Sequence, residues 1–461
     1  MKKIFVSAGI AAIGAMSLHA DEYAPDVTAT DATKIWSVNG TLRGFYDDNI
    51  NTAPNGQKEG SGGFEFSPAL SLILPLQQTE LGLRYTYGLY YYQQRENQGS
   101  NPIDQSHQVD LWIDHAFTER LDGKIQDTFT SQQDPQLSST PTALPYRAEG
   151  NNIQNIGTAS LHTEWSMLFS DDLGYQNTWV DYSQHGATPE SFYVAPYEPA
   201  GPPAGVINGA SYAGLLNQDG NSIYLNLNYQ YLPDLSFLVG YQFGLVNYTG
   251  GEPIGQDYLD GVPLYADTKN PAFLYNSASR DQWSQTVYVG GQYTAIEDLS
   301  LSVQAGAQYS YNYNLPTFDG QTRGSFQPYA SVALTYNYMQ GDYAQVGFTQ
   351  SESSSGTADP NTLNGSLTLY SESSVFYATI NHQITPNLVA SVVGHYQYST
   401  FVSGNNNGQP QNWYSFGLNL SYAFNPYISA EAGYNFDYLT AAGPLAGYSR
   451  NQVYLGVTAT Y

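Results

Sequence analysis

The residues of this sequence that carry reactive or charged groups stand singly. Arg43, Arg84, Asp110, Asp114, Lys124, Glu164, Glu431 and Asp437 each interrupt a largely uncharged run. Lone charges of this kind do electrostatic work. Spread along a wet wall, arginine and lysine opposite carboxylates set the ion preference of a passage; the plainer alternative is that they solvate the wall or pair across strands. Bond-making chemistry is poorly provided for. His107, His115, His162, His185, His382 and His395 fall in no H-E-x-x-H spacing. Neither a G-x-S-x-G elbow nor a Gly-rich phosphate loop is present. Asp110 and Asp114 lie four apart, which on a strand separates them by about 13 Å, too far to share a proton. With no cysteine there is no thiolate metal site and no disulfide. The expectation is no enzyme and no cofactor; an active site scattered over strand ends is the one catalytic alternative.

Composition says what must hold these groups. Of 461 residues, 12% are charged and 15% aromatic, with 42 tyrosines and 44 glycines. That is too aromatic for a disordered chain. A net charge of −26 sets aside nucleic acid as a partner. Mean hydropathy is −0.37, and past the N-terminus no stretch approaches the length of an apolar membrane helix. Few charges, many aromatics and a polar average suit a transmembrane β-barrel, in which alternate residues face lipid and water.

The dominant period past residue 34 is two. Leu299, Leu301, Val303, Ala305, Ala307, Tyr309 and Tyr311 alternate with Ser300, Ser302, Gln304, Gly306, Gln308 and Ser310, where a helix would space apolar residues three and four apart. Short turns rich in Asp, Asn, Pro and Gly, at 77–80, 118–122, 170–172, 233–234, 296–298, 340–342, 385–387 and 425–426, alternate with longer polar stretches. This alternation predicts an all-β, antiparallel up-and-down transmembrane barrel of about 18 strands (16–18), with short periplasmic turns and long extracellular loops. A soluble β-sandwich is the competing architecture, and it does not predict alternating connection lengths. Taking the apolar face as lipid-facing turns the eight charged residues named above toward the lumen. Asp127 resists this assignment, because it alternates with Ile125 and Phe129.

At the N-terminus, Lys2 and Lys3 precede the apolar run 4–16, and Leu18-His19-Ala20 offers a cleavage site, so residues 1–20 read as a Sec signal peptide. Residues 21–33 then form a short periplasmic segment, too short for a plug domain, and 34–461 the barrel. The final run Val453, Leu455, Val457, Ala459, Tyr461 resembles a C-terminal signal for the outer-membrane assembly machinery; Gly456 and Tyr461 fit it and Ala459 departs from it. Tyrosines at 90–92, 309, 311, 336, 338, 396 and 398 read as an interfacial girdle. Inward Phe45, Trp112, Tyr224 and Tyr288 leave open a track on which sugar rings stack. The loop 185–219, stiffened by Pro196, Pro199, Pro202 and Pro203, either folds inward to constrict a pore or caps it. Glu252, Asp257, Asp260 and Asp267 either bind divalent cations beside lipopolysaccharide or form a solvated acidic loop.

One succession is familiar. Phe45-Tyr46-Asp47-Asp48-Asn49, Gly63-Phe64-Glu65-Phe66-Ser67-Pro68-Ala69-Leu70-Ser71-Leu72, Leu83-Arg84-Tyr85-Thr86-Tyr87-Gly88, Tyr90-Tyr91-Tyr92, His107-Gln108-Val109-Asp110 and Thr118-Glu119-Arg120-Leu121 resemble the "putative beta-barrel porin 2" family of outer-membrane proteins, most clearly over residues 37–135. The resemblance implies a barrel and a pore, with exopolysaccharide loci as an occasional association, and supplies no catalytic residues. The sequence reading is therefore a bacterial outer-membrane porin passing small hydrophilic solutes or ions by diffusion. An exopolysaccharide-export conduit or accessory barrel, and a closed structural or adhesive barrel binding through its loops, are the alternatives. Outer-membrane lipid, lipopolysaccharide and the assembly machinery are the expected partners, and a homo-oligomer stays open.

Overall fold

A computed structural model describes residues 34–132, 151–185, 211–256, 258–259, 262–263, 274–296, 298–315, 322–339, 341–354, 367–404, 407–441 and 447–461. The signal peptide, the 21–33 segment, Pro196, Pro199, Pro202 and Pro203, and Asp257, Asp260 and Asp267 lie outside these residues.

The period-two runs form one 18-stranded antiparallel sheet. Its strands are β1 (Trp36–Asp47), β2 (Ser61–Pro75), β3 (Thr79–Tyr92), β4 (Ile103–Thr118), β5 (Leu121–Gln132), β6 (Asn152–Glu164), β7 (Phe169–Tyr182), β8 (Gln218–Leu232) and β9 (Leu235–Tyr248). They continue as β10 (Gln282–Ile296), β11 (Leu299–Asn312), β12 (Gly324–Met339), β13 (Asp342–Ser354), β14 (Tyr370–Thr385), β15 (Leu388–Val402), β16 (Pro410–Asn425), β17 (Ile428–Ala441) and β18 (Tyr448–Thr460). Each strand pairs with its chain neighbour. The sheet closes where β1 meets β18, from Asn39 opposite Thr460 to Asp47 opposite Gln452. Closure leaves no free edge strand, and the ladder is broken at the extracellular end, where β12 and β13 pair from Ala330 opposite Gln350 downward.

Connections at 76–78, 119–120, 165–168, 233–234, 297–298, 340–341, 386–387 and 426–427 are short and share one end of the barrel with the start of β1 and the end of β18. Gly341, at φ +87°, supplies the left-handed residue that enters β13. By the rule for such barrels, this end is periplasmic.

Strand alternation sorts side chains cleanly. On β1, Trp36, Val38, Leu42 and Tyr46 are exposed outside, while Thr41 and Asp47 are buried inside. The same division runs round the barrel: Phe237, Val239, Val287, Val289, Phe416, Leu420, Leu455 and Val457 cover the exterior. The apolar residues outside face lipid, so the wall has no packed apolar core behind it. Buried apolar clusters occur instead near the extracellular strand ends. Trp413, Leu439 and Tyr448 form one. Leu215, Ile254, Tyr275, Leu315, Leu367, Leu369 and Tyr370 form the other, drawing in a short helix (Tyr212–Leu216) and the ends of four long connections.

One open assignment is settled and one is corrected. Asp127 does face outward, as its neighbours Ile125 and Phe129 require; Asn155 Nδ2 donates to its two oxygens at 3.0 and 3.2 Å, which partly offsets the missing water. In the 90–92 run only Tyr91 joins the outer girdle, stacked on Phe64 at 5.1 Å. Tyr90 and Tyr92 turn inward, because neighbours on a strand face opposite ways.

Candidate functional site

The site is the inner wall. Arg43, Arg84, Asp110, Asp114, Lys124, Glu164, Glu431 and Asp437 all take the inner face of their strands. Arg43 Nη1 lies 2.9 Å from Glu65 Oε2, and its Nη2 lies 2.8 Å from Glu431 Oε1. The same guanidinium sits 4.7 Å above the Tyr454 ring. Gly456, beside Arg43 in the ladder, leaves the room: a Cβ there would stand 2.8 Å from Glu431 Oε1. Asp437 belongs to a second knot. Arg450 Nη2 reaches Asp47 Oδ2 at 2.7 Å and its Nη1 reaches Asp437 Oδ2 at 3.7 Å. Both arginines bridge the strands of the closing seam, joined by a Thr41–Thr458 hydroxyl contact of 2.8 Å.

The other charges are looser. Lys124 Nζ stands 3.6 Å from Asp114 Oδ1, both well exposed. Arg84 and Asp110 are ladder partners without an ion pair; Asp110 instead accepts from Thr128 Oγ1 at 2.9 Å and from Gln108 Nε2. Glu164 ends β6 at the periplasmic rim, near Asp172, which lies 2.7 Å from His162 Nδ1. Glu65, Glu80, Asp47, Asp122, Arg450 and Asp172 are charged wall residues that the sequence reading did not turn toward the lumen. Glu65 was within reach, since Phe64 and Phe66 flank it. Arg450 was not, because its neighbours Ser449 and Asn451 are both polar and mark no face.

The inward aromatics Phe45, Trp112, Tyr224 and Tyr288 lie against glycines of adjacent strands. A Cβ on Gly63, Gly82, Gly174 or Gly240 would run into these rings. Tyr224 and Tyr288 are buried, and Tyr288 Oη donates to Asn226 Oδ1 at 2.7 Å. Buried against these glycines, the two rings build the wall and do not present open faces to a sugar.

Above this wall, at the extracellular end, a collar leans inward. Arg280, 2% exposed, stacks on Tyr248 at 4.4 Å and donates to Leu215 O at 2.7 Å. Tyr248 bonds Ser354, and Ser325 donates to Glu352, so the upper end of β13 folds over the inner face of its neighbours. Asp281 accepts from the Tyr248 amide at 2.7 Å and from Asn314 Nδ2 at 2.8 Å, while burial pushes its carboxyl above the usual aspartate range. Among the described residues no group of ligands fit for a metal ion occurs. Glu252, the described member of the acidic loop, is engaged by His185 and Ser211.

Residues 342–461, β13 to β18, match the family described as "Putative beta-barrel porin 2". The match lies at the opposite end of the chain from the stretch 37–135. No curated protein matches the sequence. Among solved structures the chain is similar to OccAB4 of Acinetobacter baumannii, at 11% identity over 93% of this chain and 99% of that one, with a TM-score of 0.43. It is also similar to OccK11 of Pseudomonas aeruginosa (13%, 92% and 96%, TM-score 0.40) and to the FrpB iron transporter of Neisseria meningitidis (9%, 93% and 81%, TM-score 0.48). Overlap at this level singles out no solute and no mechanism. The closed barrel, its apolar exterior and the family match together place the protein in the bacterial outer membrane as a porin-like barrel.

Proposed function

We propose that the protein is a diffusion porin, passing small hydrophilic solutes or ions down their gradients without a catalytic step or a cofactor. The observation that supports this reading is the two-sided wall: a closed sheet of 18 strands, apolar outside and lined inside by Ser, Thr, Asn, Gln, Tyr and ionisable residues. Barrels of about 16 to 18 strands are wide enough to leave an aqueous channel. Lipopolysaccharide outside and the assembly machinery at the periplasmic end are the partners that this reading carries.

The collar of Arg280, Tyr248 and the Leu215–Tyr370 cluster favours one other reading, a barrel closed at its extracellular end whose loops do the work. Single-channel recording of refolded protein in a planar bilayer separates the two. Steady conductance steps, linear in voltage, are expected. A correctly folded, heat-modifiable barrel that passes no current would overturn the porin reading.

A further inference from the structure

Below the collar, the inner wall is charged on one side only. Passing from β8 to β16, the inward positions of the described residues hold Ser, Thr, Asn, Gln, Gly, Tyr, a few apolar residues and one histidine, His395. In the collar above these positions, Glu352 is buried beside Ser325, with Glu372 opposite it in the ladder. The remaining strands, β17 and β18 across the seam through β1 to β7, carry the charged inward residues. Their cations are Arg43, Arg84, Lys124 and Arg450. Arg43 and Arg450 each sit between two carboxylates and Lys124 faces Asp114, so three of these cations are already matched or outnumbered.

What is left over is negative and sits at the periplasmic rim. Glu80 is the second residue of β3, Asp122 the second of β5, Glu164 closes β6 and Asp172 stands near the start of β7. These four carboxylates form an arc on the inner face, with His162 opposite Asp122 and Asp172 in the ladder. A low-dielectric barrel wall focuses the field of such an arc into the lumen. Screening at physiological salt limits its reach to about 8 Å, so it acts on solute that passes along this side.

We infer that the lumen is laterally polarised, with the β3–β7 arc as a cation-selecting rim and the uncharged β8–β16 wall as a neutral hydrogen-bonding surface, so that the preferred solutes are inorganic cations and small amines over anions of equal size. This deepens the porin reading and rests on it. The chemistry needs no bound ion: selection comes from the potential along the path, and the neutral half lets the uncharged part of a solute exchange water for Ser, Asn and Gln side chains.

The test is the reversal potential of single channels in a KCl gradient. The wild-type channel is expected to favour potassium over chloride, and the Glu80→Gln, Asp122→Asn, Glu164→Gln, Asp172→Asn quadruple variant to lose at least about half of that preference. Asp219→Asn, on the outer face beside Asn177, should leave it unchanged. Channels with wild-type conductance but no cation preference, or a folded quadruple variant with an unaltered ratio, would overturn the inference and leave the porin reading standing. Should the quadruple variant fail to fold, the wild-type ratio still decides the sign. Absence of current from folded wild-type protein takes both readings down.

Discussion

At the scale of single residues the seam is the most demanding place in the molecule. Arg43 holds Glu65 and Glu431, one on each side, at 2.9 and 2.8 Å. Removing the arginine leaves two carboxylates facing each other in a confined, half-buried space, a like-charge contact with no compensating donor. Arg43→Ala is expected to destabilise the folded barrel by about 2–3 kcal/mol, less than the full cost of breaking a buried pair because the arginine stays partly wet. Urea unfolding in lipid vesicles measures it. Adding Glu431→Gln should return part of the loss, and a double variant no better than the single one would show that the network is not electrostatic. That Arg43 faces inward was legible, because Leu42 and the flanking glycine fixed the alternation. Its partner in Glu431 was not: the two lie 388 residues apart and meet only because the barrel closes. Alternation specifies a face, whereas partnership depends on register between strands that sequence does not order.

At the scale of elements, two features carry predictions. Where Tyr288 lies over Gly240, a Cβ would collide with the ring and with Asn226 Oδ1. Gly240→Ala should therefore cost about 1–3 kcal/mol by overpacking. Pairing it with Tyr288→Ser, which removes the ring, should recover most of that cost in the same unfolding measurement. The collar responds to pH through Asp281. Burial raises its carboxyl pKa above the unfolded value, so the folded collar binds the proton more tightly than the loosened one does. The stability it contributes is complete below the ordinary aspartate pKa and is lost as pH rises through the raised value. Acidification thus tightens the collar, and conductance should fall between neutral pH and about pH 4. Asp281→Asn, a standing mimic of the protonated form, should show the low-conductance behaviour without the pH step; a step that survives the substitution would assign the effect elsewhere. Strands and most short turns were legible from the period and from their turn residues; the turn expected at 170–172 falls at 165–168, because Asp171 and Asp172 sit in strand β7 and only resemble turn residues. The collar was not, since Leu215, Ile254, Leu315 and Leu369 come from four separate polar loops, and no local pattern announces that their few apolar residues converge.

At the scale of the whole molecule, closing the sheet is the event on which everything else depends, and Tyr461 stands at its last step. Its amide donates to Val38 O at 2.8 Å and its carbonyl accepts from Val38 N at 3.0 Å. Its ring lies 5.6 Å from Trp36, with Lys34 Nζ 5.2 Å from its centre. These contacts sit at the exposed periplasmic rim, where two ladder bonds and an exposed aromatic pair contribute about 1–3 kcal/mol together. The seam above them holds two arginine networks and the β1–β18 ladder, so a barrel already closed should tolerate the loss of Tyr461 with a small change in unfolding midpoint. A residue read by the assembly machinery behaves differently: its removal lowers the amount of barrel that reaches the membrane, whatever the stability of the finished product. Deleting Tyr461 is therefore expected to cut the yield of heat-modifiable barrel in the outer membrane severalfold while barely moving the midpoint of protein that does assemble. Equal yields with an unchanged midpoint would remove the signal role. A loss of midpoint that accounts for the loss of yield would reduce Tyr461 to one more strut of the seam.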